Sequence, residues 1–285
     1  MGNGYQFDLL RRVLSALSLL SLASSFASAQ SIARPNVPAN ELVKRVVQKE
    51  VSAVENDSDF WRYHLRKETA SGSQIRDMVE TKQGIVARTI SINDQPLTSE
   101  QRAHDDQRLA NLVANPEEQH KKQREQAEEA NRVLALIRAL PDALLFSYDG
   151  DEKMHGRNAV RLNFKPNPKF SPTIRETYVY KGTNGFLWID AASERIVKLD
   201  ATLVNNVNIG WGGILGHINK GGHFILEQSM PAPGKWKLST LVLEATGKLL
   251  IFKSISLKQR QFGTDYRPVP PTLDIAQAVA ILKKQ

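Results

Sequence analysis

The chain predicts an α+β fold: a curved antiparallel sheet with an N-terminal helix, an inserted helical hairpin and a C-terminal helix. Three observations predict it. Short runs rich in β-branched and aromatic residues are joined by turn residues only a few positions long, which means hairpins and antiparallel pairing. Helical periodicity is confined to three separate places rather than alternating with the strands, which separates α+β from α/β. Several strands, such as Phe186-Leu187-Trp188-Ile189 and Leu249-Leu250-Ile251-Phe252, carry large apolar groups on both faces, so both faces want cover.

In chain order, Arg11 and Arg12 precede an apolar run, Val13 to Phe26, and then Ala27-Ser28-Ala29. That order matches a secretory signal peptide over 1–29 cut between Ala29 and Gln30. The run is shorter than the roughly 20 apolar residues of a spanning helix. The remainder, 30–285, is expected to form one domain outside the cytoplasm, in the periplasm where the source has an outer membrane. After Pro35 and Pro38, Asn40 is placed to cap a helix through Glu55, with Leu42, Val43, Val46, Val47 and Val54 at helical spacing.

Strands are predicted at Phe60–Thr69, Ser73–Lys82 and Ile85–Ile92. Period two puts Trp61, Tyr63 and Leu65 on one face of the first. The composition then shifts, and residues 98–140 read as two charged helices broken at Asn115-Pro116. A Thr98/Gln101 capping box opens the first of them. Acid-before-base pairs four apart (Glu117–Lys121, Glu118–Lys122, Glu128–Arg132) line the second. Only the end holding Ala130, Val133, Leu134, Ile137 and Leu140 is apolar enough to reach a core. This insertion reads as a solvated hairpin docked by one end, with a lid over the sheet or an arm for a partner protein as the sharper readings.

Strand chemistry resumes at Ala143–Tyr148, turns at Asp149-Gly150-Asp151 and continues at Ala159–Phe164. Arg175–Val204 reads as three strands joined by turns at Gly182–Gly185 and Ala191–Glu194, carrying Tyr178, Tyr180, Phe186 and Trp188. A glycine-rich stretch, Gly210–Gly222, precedes strands at His223–Gln228, Trp236–Ala245 and Leu249–Leu257, the last two joined by a tight Thr246-Gly247 turn. A short helix, Thr272–Lys284, capped by Thr272, closes the chain.

The chemistry is defined mostly by what is missing. With no cysteine there is no disulfide, thiol nucleophile or thiolate metal site. None of the six histidines (His64, His104, His120, His155, His217, His223) stands in a metal-ligand spacing such as H-E-x-x-H, so no metal and no cofactor is expected. The glycine-rich stretch lacks the Gly-Lys-Ser/Thr of a phosphate cradle, and G-x-S-x-G is absent. Asp149, Asp151 and Glu152 could serve as acid/base carboxylates but sit where a solvated turn is predicted. The formal charge of +8 favours anionic partners and is compatible with peripheral membrane contact. It is spread along the chain with no nucleic-acid motif, so nucleic acid is not expected.

The order of elements, and the segment Tyr178-Val-Tyr180-Lys181-Gly182 … Gly185-Phe186-Leu187-Trp188-Ile189-Asp190 … Arg195-Ile196-Val197-Lys198, resembles the LolA-like family of bacterial envelope proteins. The resemblance implies a half-open β-barrel closed by helices, with an apolar cavity that receives lipid tails. It implies no enzymatic activity, and lipid or acylated-protein partners that are carried or sensed. The cavity candidates are then Tyr178, Tyr180, Phe186 and Trp188, with the other large aromatics of the sheet, Trp211, Phe224, Trp236 and Phe252. The helical insertion at 98–140 and the glycine-rich 210–222 segment depart from the family pattern, and the lid arginine of the lipoprotein carriers has no counterpart to align. The alternative is an envelope interaction or sensor module with a filled core, docking a partner protein through 98–140.

Overall fold

A computed structural model describes residues 37–209, 216–249 and 253–284. The predicted cleavage site at Ala29 and Gln30, and the candidates Trp211 and Phe252, lie outside them. The elements in order are α1 (Ala39–Glu55), β1 (Phe60–Thr69), β2 (Gly72–Thr81), β3 (Gly84–Ile92), β4 (Gln95–Pro96), α2 (Ser99–Ala114), α3 (Pro116–Ala143), β5 (Leu144–Met154) and β6 (Arg157–Pro166). A 3-10 segment (Arg175–Gly182) follows, then β7 (Thr183–Asp190), β8 (Ile196–Leu203), β9 (Val207–Ile209), β10 (Gly216–Ile218), β11 (His223–Ala232), β12 (Lys235–Leu249), β13 (Lys253–Val269) and α4 (Ile275–Lys283).

The fold is α+β, as predicted. Thirteen strands among the described residues form one curved antiparallel sheet, in the order β4-β3-β2-β1-β13-β12-β11-β8-β7-β6-β5, with β10 against β12 and β9. The last long strand inserts beside the first, so the two meanders of the chain become one sheet. Its edges, β4 and β5, do not pair with each other, and the barrel stays open.

Several local readings change. Asn40 is not a cap: α1 begins one residue earlier, after Pro38. The freed amide instead donates to the carbonyls of Pro141 and Leu144 (3.1 Å each) and accepts the Phe146 N–H (3.0 Å), stapling α1 to the start of β5. Asp149-Gly150-Asp151 is not a turn but a bulge within β5, where the register to β6 slips between Tyr148 and Gly150. The chain turns later, at His155-Gly156.

Residues 175–182 coil as a 3-10 helix rather than a strand, and the predicted Gly182–Gly185 turn is the start of β7. Gly185 is there for close approach: a Cβ on it would lie 2.0 Å from the Asp200 carbonyl oxygen and 2.7 Å from the Phe164 ring. β12 runs straight through Thr246-Gly247, and α4 is capped by Asp274 in a capping box with Gln277, not by Thr272. The Thr98/Gln101 capping box is as predicted, and the predicted break at Asn115-Pro116 is a cap as well, Asn115 accepting from the N–H groups of Glu117 and Glu118. The turn at Ala191–Glu194 is also observed, with Asp190 taking the Ser193 N–H at 2.7 Å.

The helices divide the sheet. α1 and the C-terminal end of α3 cover one face of β5 to β8, burying Leu42, Val43, Val46, Leu140 and Leu144 against Val160, Leu162, Leu187 and Ile189. α2 and α4 cover the opposite face of β2 and β3, with Leu109, Leu112, Ala278, Val279 and Leu282 against Val79 and Val86. No helix packs closely on the strands between, β11, β12, β13 and β1, among the described residues.

Candidate functional site

Register fixes which side chains share the α1 face. Leu187 pairs with Leu199, Leu199 with Leu226 and Leu226 with Leu241; Gly185 pairs with Ala201, Ala201 with Phe224 and Phe224 with Leu243. Two apolar rows thus leave the helix-covered core and continue across β11 and β12, where no helix packs closely among the described residues. On the same face, Leu241 and Leu243 pair with Gln261 and Gln259 of β13, which pair with Lys67 and Thr69 of β1. Beyond them lie Leu65, which pairs with Arg76, and Tyr63, which pairs with Met78. Phe224, Leu226, Leu241, Leu243, Leu65 and Met78 are all half-buried, as expected of a trough floor rather than a core or a free surface.

α3 is anchored to two distant parts of the sheet. Near its middle, the Gln126 amide forms a pair of hydrogen bonds with the Ile85 backbone on β3: it accepts the N–H at 2.9 Å and donates to the carbonyl at 3.3 Å. Gly84 permits the approach, since a Cβ there would meet the Gln126 side-chain oxygen at 2.4 Å. At the other end Leu134, Leu140 and Ala143 are buried, the Tyr180 hydroxyl donates to the Leu136 carbonyl at 2.9 Å, and Arg138 pairs with Glu55 of α1. The strands carrying these two anchorages are far apart in the sheet, so α3 bridges what lies between. Residues 127–133 are exposed, Val133 to 44%, and the span between the anchorages is unpacked.

α1 is locked down on the core side. Glu50, 5% exposed, accepts from Arg195 at 2.8 and 2.9 Å, from the Ile196 N–H at 2.8 Å and from Gln228 at 3.3 Å. Hydrogen bonds from Arg45 and Lys49 hold the Glu194 carboxyl down to about 2. At the far end of the trough Trp61, Tyr63 and Tyr266 form an aromatic cluster, with Tyr63 and Tyr266 stacked at 4.8 Å. Burial pushes the Glu80 carboxyl beside them upward, against the Lys237 ammonium 4.0 Å away and the Trp61 N–H.

The predicted cavity aromatics do not form one wall. Tyr180 and Phe224 pack on the α1 face, and burial pushes the Tyr180 phenol up. Tyr178 is half-buried on the 3-10 segment. Phe186 and Trp188 point to the other face, because Leu187 and Ile189 between them take the core positions. Phe186 is 41% exposed, while Trp188 and Trp236 are buried with Ala159 and Val197 in a small outer cluster.

Of the carboxylates considered for acid/base work, Asp149 and Glu152 are on this outer side too, already paired, while Asp151 stands opposite Val160 in the β5–β6 ladder. Arg161 lies 2.7 Å from Asp149 and 3.5 Å from Glu152, and the Trp188 indole donates to Glu152 at 2.8 Å. His223 meets Asp200 at 2.8 Å and His64 meets Asp265 at 3.3 Å. No group of three metal-ligating side chains gathers among the described residues. Two open hollows of about 400 and 370 Å³ lie away from the apolar rows. One is between the start of α2 and Gln74, Thr89 and Ile92; the other is at Lys49, Ser193, Arg195 and Trp236.

The chain is thus an α+β protein built on one open, partly covered antiparallel sheet. No family model matches its sequence, and no curated protein does. Three solved structures are similar over most of their length. A domain from Vibrio parahaemolyticus described as an outer membrane lipoprotein-sorting protein has a TM-score of 0.28 at 15% identity, covering 83% of this chain and 97% of that one. A DUF1329 family protein from Desulfovibrio piger has a TM-score of 0.31 at 8% identity, covering 86% and 100%. MucB, solved in complex with the periplasmic part of MucA, has a TM-score of 0.23 at 8% identity, covering 80% and 99%. Likeness at this level assigns neither family nor activity.

Proposed function

We propose that this protein is a non-enzymatic, exported binding protein that takes the acyl chain of a lipid or acylated partner into the trough across β11 and β12. One observation carries the reading. The rows Leu226–Leu241 and Phe224–Leu243 prolong the core surface beyond the last helix that packs closely on it, leaving apolar side chains half-buried. Burying such a side chain fully is worth about 1.5–3 kcal/mol, so four in a row favour an apolar guest. Export rests on the 1–29 segment as read from the sequence.

The test is uptake of Nile red, a neutral solvatochromic dye, by delipidated protein. Uptake is expected, with displacement by a monoacylglycerol. Leu241→Asp with Leu243→Asp should abolish uptake while leaving the circular dichroism spectrum unchanged, and Phe186→Ser, on the other face, should not affect it. Folded wild-type protein that takes up no dye would overturn the proposal.

A second reading, docking of an envelope protein through 98–140, is favoured by the exposed apolar Val113 and Val133 on α2 and α3. It requires Val113→Asp or Val133→Asp to abolish capture of a partner without changing dye uptake.

A further inference from the structure

We infer that the guest is a long-chain fatty acid, with its tail on Leu226, Leu241, Phe224 and Leu243 and its carboxylate at Lys67 and Arg76. The inference rests on the proposed trough and adds which amphiphile it selects. Across the strands the uncovered face changes chemistry in one direction. It is leucine and phenylalanine on β11 and β12, glutamine on β13 (Gln259, Gln261), then lysine on β1 and arginine on β2. Two strand spacings, about 10 Å, separate Leu241 from Lys67, so a chain lying across the strands passes from oil to charge within its own length.

Lys67 and Arg76 are diagonal neighbours on adjacent strands, close enough to share one anionic group. Neither has a carboxylate within 4 Å among the described residues, whereas several other cations of the molecule are paired. Arg66, on the opposite face, holds Glu68 and Asp94; Lys237 holds Asp57 and approaches Glu80; and Arg108 holds Asp105. The Arg76 guanidinium donates to the Gln74 side chain at 2.7 Å, which orients its fork without neutralising it. A guanidinium so presented matches the two oxygens of a carboxylate. Glu100 and Asp105 of α2 bound this end of the face, lining the hollow beside Gln74 and Thr89, and Asp105 is held by Arg108.

The experiment compares palmitate with monopalmitoylglycerol, the same tail on a neutral head, as displacers of Nile red from the full mature chain at physiological salt. Palmitate is expected to displace the dye at about tenfold lower concentration, the effect of one charge-assisted contact. In Lys67→Gln with Arg76→Gln the two should fall within about twofold of each other, with the neutral lipid unchanged. Equal displacement by wild type, or a preference that survives in the double variant, would overturn the inference while leaving the trough intact. Lysophosphatidylglycerol outcompeting palmitate would move the site to a phosphate head and overturn the fatty-acid assignment. Absence of dye uptake would remove both readings.

Discussion

The strands β5 to β8 and the strands β11, β12, β13 and β1 belong to one sheet and share one face, yet they end in different states. On the first group that face is dry: Leu162 and Leu187 are fully buried and α1 is tied to them through Asn40, Glu50 and Glu194. On the second the same face carries leucines of the same size, half-buried, with no helix packed closely on them among the described residues. Strand chemistry sets the presence of an apolar face. The path of the helices sets whether that face becomes a core or a surface.

The comparison is broken most sharply by truncation. Leu187→Ala should cost about 2–5 kcal/mol in urea unfolding, because a fully buried side chain leaves a cavity. Leu241→Ala should cost under about 1 kcal/mol, because water already reaches it. Equal losses would mean that the two halves are packed alike.

Acid should strike the covered half first. The folded Glu194 carboxyl is held below its ordinary value, so its stabilisation is present above about pH 4.5 and is lost as pH falls towards 2. The pair is partly solvated, so the effect is of order 1 kcal/mol. Glu194→Gln should therefore be less stable than wild type at pH 7 and nearly equal to it at pH 2.5, read from unfolding midpoints.

The smallest effect concerns α3. Gln126→Ala removes both of its bonds to β3 and should change global stability by about 1 kcal/mol or less. Hydrogen exchange in residues 117–130 should nevertheless rise well above that in 134–143, which the core still holds. Uniform exchange along α3 would show that the Ile85 anchorage does not matter.

Much of this was legible in the chain. The Thr98/Gln101 box and the break at Asn115-Pro116 announce the inserted helices, since capping and breaking chemistry is local, and β1, β2 and β3, separated by tight turns, were placed to within a residue. What failed were readings that depend on partners distant in sequence. Tyr178-Val-Tyr180 alternates like a strand, but the Tyr180 hydroxyl is drawn to α3 and the segment coils. Gly247 looks like a turn, but lies in a long strand paired on both sides, with β13 and β10. Phe186 and Trp188 drew attention by size, whereas the smaller Leu187 and Ile189 hold the core face. The leucines of β12 and the cations Lys67 and Arg76 carried no motif at all; only register brings them together.

The bulge at Gly150 has a consequence for how copies of this protein meet. Among the described residues β5 is a long terminal strand with one side unpaired, a natural template for a stranger's backbone. Asp149, Asp151, Glu152 and Lys153 cluster at the slip in its ladder, where a second chain would have to dock in register. Charge and a broken ladder at that point both oppose edge-to-edge joining of two such sheets.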